Sequence, residues 1–245
     1  MSAWVFDLGN SRLKCAPLGE DGRPGDVLAF AHDGRALDAG WERALPMRIE
    51  AAHVASVAAP ALRVALLEAL SARCARIGLA STQRAWGGVR IAYAAPERLG
   101  VDRFLAMLAA YSRGGAWLVV GVGTALTIDL VDADGRHHGG RIAPSPALMR
   151  EALHARATQL PPVGGTYREF ATDTDDALAS GCTGAALALV TCSGEAAAQL
   201  CGCPVPVLLH GGGADALRPH LPDAVHAPAL VLEGLGCWAQ VGRTP

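Results

Sequence analysis

A short apolar strand that breaks at a glycine turn and returns as a second strand occurs twice in this chain, and that recurrence limits the fold more than any other feature. The first copy covers residues 3–7, turns at Gly9-Asn10 and returns over 13–18, ending in Gly19-Glu20-Asp21-Gly22. The second covers 117–121, turns at Gly121-Val122-Gly123-Thr124 and returns over 126–131, ending in Asp132-Ala133-Asp134-Gly135. Glycine and asparagine accept positive φ, so each copy reads as a β-hairpin. The copies superpose at an offset of roughly 114 residues, about half of the 245-residue chain, with Val5-Phe6-Asp7-Leu8-Gly9 falling on Val119-Val120-Gly121-Val122-Gly123. A hairpin opening each half predicts two α/β halves, residues 1–113 and 114–245, facing each other across a cleft.

The remaining pattern fits that scheme. Strands are expected over 26–31, 48–57, 89–94, 140–143 and 205–210, and helices over 60–76, 102–113, 146–156, 174–199 and 230–241. Hydrophobic residues make up 51% of the chain and charged residues 18%, enough to bury a substantial core. A net charge of -2 and an aromatic content of 5% give no basis for a nucleic-acid surface or an anionic membrane partner, so the expected partner is small. No uninterrupted apolar run reaches the roughly 18–20 residues of a membrane span. The start carries Asp7 and no basic region, unlike a signal peptide. Seven cysteines without regular spacing predict reduced thiols and a cytoplasmic protein. Cys201 and Cys203 lack a second Cys or His pair that would complete a zinc site.

The first turn, Asp7-Leu8-Gly9-Asn10-Ser11-Arg12-Leu13-Lys14, carries what an ATP phosphate tail needs. Glycine lets the backbone N–H groups approach, Asn10 and Ser11 are short donors, and Lys14 is a counter-charge. Asp7 is placed to hold magnesium through water, because Mg²⁺ keeps several waters and takes few carboxylates. An ordinary capped hairpin would use the same residues. The second turn, Gly123-Thr124-Ala125-Leu126-Thr127-Ile128-Asp129, offers the same chemistry, with Asp129 either steadying the magnesium waters or finishing its strand. A third cluster, His210-Gly211-Gly212-Gly213-Ala214-Asp215, sits between strand and helix, where a backbone can lie flat against a nucleoside. It has neither Walker nor dinucleotide-binding spacing.

The fourth constellation runs Tyr93-Ala94-Ala95-Pro96-Glu97-Arg98-Leu99-Gly100-Val101-Asp102-Arg103. Pro96 and Gly100 shape a loop leading into a helix, where Asp102 can accept the proton of an attacking hydroxyl and Arg103 can bind a carboxylate or phosphoryl group. Asp102 also suits a plain helix cap. His137-His138 reads as a solvated loop.

In this order, Asp7-x-Gly-Asn-Ser-x-x-Lys14, Leu99-Gly-x-Asp-Arg103, Gly123-Thr-Ala-x-Thr-x-Asp129, Gly139-Gly-x-Ile-x-Pro144 and Asp173-Thr-x-x-Ala-x-x-Ser-Gly181 make the chain resemble the type III pantothenate kinase family over essentially its whole length. The resemblance implies the duplicated ribonuclease H-like, actin-like ATPase fold, with two halves around a nucleotide cleft. It implies phosphorylation of (R)-pantothenate by ATP with Mg²⁺, the first step of coenzyme A biosynthesis, by a homodimer. By the same match, Asp7, Leu8, Gly9, Asn10, Ser11, Arg12, Leu13 and Lys14 form the ATP phosphate turn, with Gly123 and Thr124 in the second. Asp102 is then the base, and Tyr93, Gly100, Val101, Asp102, Arg103 and Thr174 hold pantothenate. The resemblance also implies a K⁺ or NH₄⁺ ion on an acidic residue three positions before the threonine of the second turn. That position here is Gly121, so a carbonyl oxygen or water replaces the carboxylate or the requirement weakens. A related kinase for another small hydroxy acid or sugar, or a non-catalytic ATP-binding regulator, shares the same bare chemistry.

Overall fold

A computed structural model describes residues 3–38 and 40–242. The strands are β1 (Ala3–Leu8), β2 (Arg12–Leu18), β3 (Leu28–Ala31), β4 (Ile49–Ser56), β5 (Cys74–Leu79), β6 (Ala85–Trp86), β7 (Val89–Arg90), β8 (Trp117–Val122), β9 (Ala125–Val131), β10 (His137–Pro144), β11 (Val207–His210) and β12 (Val225–His226). The helices are α1 (Pro60–Ser71), α2 (Val101–Ser112), α3 (Pro146–His154), α4 (Thr174–Cys201) and α5 (Leu230–Val241).

Two five-stranded sheets carry the hairpins, in the orders β3-β2-β1-β4-β5 and β10-β9-β8-β11-β12. The hairpin pairs β1–β2 and β8–β9 are antiparallel, whereas β1–β4, β4–β5, β8–β11 and β11–β12 are parallel. The same position in each order therefore holds the same hairpin, and β8 starts and ends 114 residues after β1. One difference is local. Leu8 pairs with Leu13 across the first turn and Val122 with Leu126 across the second, so the second connection is one residue shorter.

Alternation along each strand decides which face is chemical. Trp4, Phe6 and Leu8 point into a core with Leu13, Cys15, Val54 and the α1 residues Leu62, Leu66 and Leu70. Asp7 and Lys14, register partners, therefore lie on the opposite face. In the second sheet Leu118, Val120, Val122, Leu126, Ile128 and Leu130 pack with Ala186, Val190 and Ala197 of α4, which turns Gly121, Thr127 and Asp129 the other way.

The chain forms two compact units. One comprises the residues up to Gly115, Asp134–His137 and the chain from Ala229 onward; the other comprises Ala116–Ala133 and His138–Pro228. Compactness thus follows contacts as well as repeat order, because α5 packs on α2 and on β1. Gly234 permits that contact: a Cβ there would lie 1.9 Å from the Leu105 carbonyl oxygen. Gly234→Ala should therefore cost about 1–3 kcal/mol by urea unfolding. An unchanged midpoint would mean that α2 and α5 do not approach so closely.

Several boundaries differ from the sequence expectation. The helix over 60–76 stops at Ser71, and 74–79 becomes β5, whose Cys-Ala-Arg-Ile-Gly-Leu run takes its backbone partners from β4. Of the strand over 89–94 only Val89–Arg90 remains, paired with β6. Helix α4 is 28 residues long with an apolar window of mean hydropathy 1.4, so by length and composition it suffices to cross a bilayer, although no uninterrupted apolar run had suggested one. Its hydropathy comes from Ala, Gly, Cys and Leu scattered among Ser and Thr. It packs on β8 and β9, as the core helix of a sheet does.

Candidate active site

In the first unit the turn after β1 closes through Gly9 N–H donating to the Arg12 carbonyl at 3.0 Å. Asn10, Ser11 and Arg12 are exposed, while Leu8 and Leu13 are fully buried and reach the turn's surface only through their backbone. His32, just past β3, braces the turn. Its Nε2–H donates to the Gly9 carbonyl at 2.9 Å, its Nδ1 accepts from Gly34 N–H at 3.1 Å, and its own N–H donates to the Ser11 carbonyl at 3.2 Å. Two opposite ring roles fix one tautomer. Sequence reasoning passed over His32, because only the register of β3 on β2 shows that the residue after Ala31 falls beside the first turn.

Asp7 is partly buried, and its carboxyl is pushed up from 3.8 to about 7. Burial is the largest cause and the charge of Asp102 the second, with Lys14 pulling the other way. Residues 95 positions apart are thus electrostatic neighbours at one end of β1. Asp102 is the second residue of α2, whose N-cap is Gly100 with no side-chain cap bond. Its Oδ1 accepts from Arg103 N–H at 2.9 Å, so Asp102 lies in the first turn and is not the cap. Gly100 leaves it room: a Cβ there would stand 2.6 Å from Oδ1.

Arg103 is only 7% exposed. Its Nη1 donates to the Tyr93 hydroxyl at 3.3 Å, and its Cζ lies 5.9 Å from the Tyr93 ring centre. The loop between them is tied at both ends, by Arg84 Nη2 donating to Ala94 O at 2.7 Å and by Thr82 Oγ1 donating to Leu99 O at 2.7 Å. His137, expected on a solvated loop, is 1% exposed. Its ring stacks on Tyr93 at 6.0 Å and 17°. The polar pair after Asp134-Gly135 reads as surface because its burial comes from docking against β7, which local composition does not encode. His138 instead meets Asp132 Oδ2 at 2.7 Å.

In the second unit Gly123 N–H donates to Ala125 O at 2.9 Å, and both Gly123 and Thr124 are exposed. Asp129 is 2% exposed and pairs in register with Val119. A Cβ on Gly121 would lie 2.7 Å from Thr127 Oγ1 and 2.8 Å from His210 Nε2, so those side chains take the space that a carboxylate would use. The third glycine cluster packs on the end of β8. Gly213 N–H donates to Val122 O at 2.9 Å, and Gly211 has φ +96 with a Cβ position 2.3 Å from that same oxygen. Thr174 opens α4, capped by Asp173, which accepts from Asp176 N–H at 2.9 Å.

The first unit thus assembles Asp7, Lys14 and Asp102, and beside Asp102 in sequence Arg103 with Tyr93. The family model described as type III pantothenate kinase matches residues 4–194. The chain belongs to the type III pantothenate kinase family. A type III pantothenate kinase from Xanthomonas campestris pv. campestris (strain B100) is 59% identical over 247 residues, covering all of both chains. Among solved structures, a Baf family transcriptional activator from Campylobacter jejuni superposes with a TM-score of 0.65 at 17% identity, over 99% of this chain and 100% of that one. A 2-dehydro-3-deoxygalactonokinase from Sinorhizobium meliloti does so at 0.54 and 16% identity, over 99% and 100%. At such identities the likeness is one of fold, the α/β architecture of actin-like ATPases and sugar kinases.

Among the described residues no group of three or more His, Cys, Asp or Glu side chains is arranged to hold a metal. The donor set suits magnesium nonetheless. The charge of Asp102 raises the proton affinity of Asp7; two neighbouring carboxylates favour a divalent cation, and Mg²⁺ needs only one or two of them beside nucleotide oxygens and water.

Proposed function

We propose that the protein is a pantothenate kinase that transfers the γ-phosphoryl group of ATP to the 4′-hydroxyl of (R)-pantothenate, giving (R)-4′-phosphopantothenate and ADP in the first step of coenzyme A biosynthesis. The observation that carries it is the carboxylate of Asp102, in the first turn of α2, held in electrostatic contact with Asp7 of the phosphate turn. Asp102 takes the hydroxyl proton as the oxygen bonds to phosphorus, and the bond from phosphorus to the bridging oxygen breaks to release ADP. The turn from Asp7 to Lys14 binds the phosphates through its backbone N–H groups and Lys14, and Gly123 and Thr124 bind them from the second hairpin. Tyr93, Gly100, Val101, Arg103 and Thr174 hold pantothenate, with Val101 contributing backbone because its side chain is 9% exposed.

Asp7 holds magnesium through water, and Asp129, buried in its sheet, is the weaker candidate. When bound with ATP, the ion neutralises charge on the phosphates. Thr127 and His210 stand where a side chain at Gly121 would begin, so a carbonyl oxygen or water replaces the acidic ligand for potassium or ammonium, or the requirement weakens. The protein is a cytoplasmic homodimer, with the exposed apolar side chains of α4, among them Leu200 at 64%, and Ile142 of β10 at 65% covered by the second copy. The duplicated halves 1–113 and 114–245 descend from one hairpin-led unit.

Coupled ADP release provides the test. Pantothenate should stimulate turnover where a panel of sugars and other hydroxy acids does not, and replacing potassium by sodium decides the ion: unchanged turnover removes the requirement from this chain, and a loss of turnover keeps it. Stimulation by a sugar alone overturns the substrate, and no stimulation by any acceptor leaves an ATP-binding regulator.

A further inference from the structure

The tip that precedes β10 is locked onto β7. Arg90 N–H donates to Gly135 O at 2.8 Å, and Arg90 and Arg136 form a parallel bridge. Gly135, at φ +75, sits so close that a Cβ would lie 2.2 Å from the Gly88 carbonyl. This rigid support delivers the His137 ring. The ring makes two different contacts with one short stretch of the substrate loop: it stacks on Tyr93, and its Nδ1 accepts the Ala92 N–H at 3.3 Å. Accepting at Nδ1 assigns the ring proton to Nε2 in the neutral form. Tyr93 is thereby held on one side by a stacked ring and at its hydroxyl by the Arg103 guanidinium. A phenol that accepts from arginine keeps its own O–H to donate, and the direction of that donation depends on the ring plane.

We propose that His137 is a positioning residue for the acceptor substrate: it sets the Tyr93 ring plane and the Ala92 backbone, and so aims the Tyr93 hydroxyl at an oxygen of the hydroxy acid. This rests on the assignment of Tyr93 and Arg103 to the substrate subsite. His137 touches no reacting atom, so its loss acts on acceptor binding and spares the phosphate turn. A side chain that merely filled core volume would lower stability and leave both Michaelis constants alone.

The experiment compares steady-state kinetics and thermal melts of the full chain carrying His137→Ala, His137→Phe or His137→Asn. Phenylalanine keeps the stack, and asparagine keeps an acceptor near Nδ1. His137→Ala should raise KM for pantothenate about tenfold, because a freed ring misplaces the donor, with KM for ATP unchanged and kcat little altered. The Phe and Asn variants should each recover part of that loss, and they carry the test if the Ala variant does not fold. Unchanged KM for pantothenate in both folded variants overturns the proposal, as does a parallel rise in both Michaelis constants. Tyr93→Phe serves as the control on the subsite. If it leaves KM for pantothenate unchanged, the subsite assignment itself fails; if it raises KM while the His137 variants do not, only the role of His137 fails.

Discussion

Asp102→Asn should lower kcat by about 10²–10⁴-fold while ATP binding is largely kept, because the amide cannot take up the hydroxyl proton yet fills nearly the same volume. The geometry favours a clean result. The side chain is not the helix cap, so its loss as an anion does not unravel the start of α2, and an amide oxygen can still accept from Arg103 N–H. Isothermal titration with a non-hydrolysable ATP analogue would check the binding half. Near-normal turnover would remove Asp102 from the role of base. Gly100 belongs to the same arrangement, since the clearance that it leaves beside Oδ1 sets where the carboxylate can sit.

Asp7→Asn should stabilise the ligand-free protein at and above neutral pH, by as much as about 4 kcal/mol. The sign follows from the direction of the shift. The Asp7 carboxyl titrates near 3.8 in the unfolded chain and at about 7 in the folded one, so the folded state holds a proton that the unfolded state has lost. Stability therefore falls as pH rises through that window, and stays at the lower level above it. Asparagine has nothing to ionise, so the gap between variant and wild type should open between pH 4 and pH 7 in urea unfolding with chelator present. Parallel profiles would show that Asp7 titrates normally. Asp102→Asn should narrow the same gap, because it removes the second-largest cause of the shift while leaving burial in place.

Much of the fold was legible because hairpins and helices announce themselves locally. Glycine punctuation and period-two apolar runs located β1, β2, β8 and β9, and helix periodicity placed α5 over the same residues that it occupies. Strand β5 was missed because an Ala/Leu-rich helix runs into it and its partner strand is distant in sequence. The glycine turn after β1 and the Asp102-Arg103 pair were also visible in the sequence. Their supports, His32 and His137, were not, because a histidine's role depends on which ring or carbonyl the tertiary structure brings to it.

The two glycine turns mark that division most clearly. Sequence alone determined that they exist, that they repeat at one offset, and that Asp7 in the first corresponds to Gly121 in the second. Only the tertiary structure decided what the difference does. At Asp7, burial and a carboxylate from α2 raise the pKa; at Gly121, Thr127 and His210 close in on the space that a side chain would need. Turn chemistry is local and survives in the order of residues. Desolvation and charge coupling come from neighbours far along the chain, and they exist only once the chain has folded.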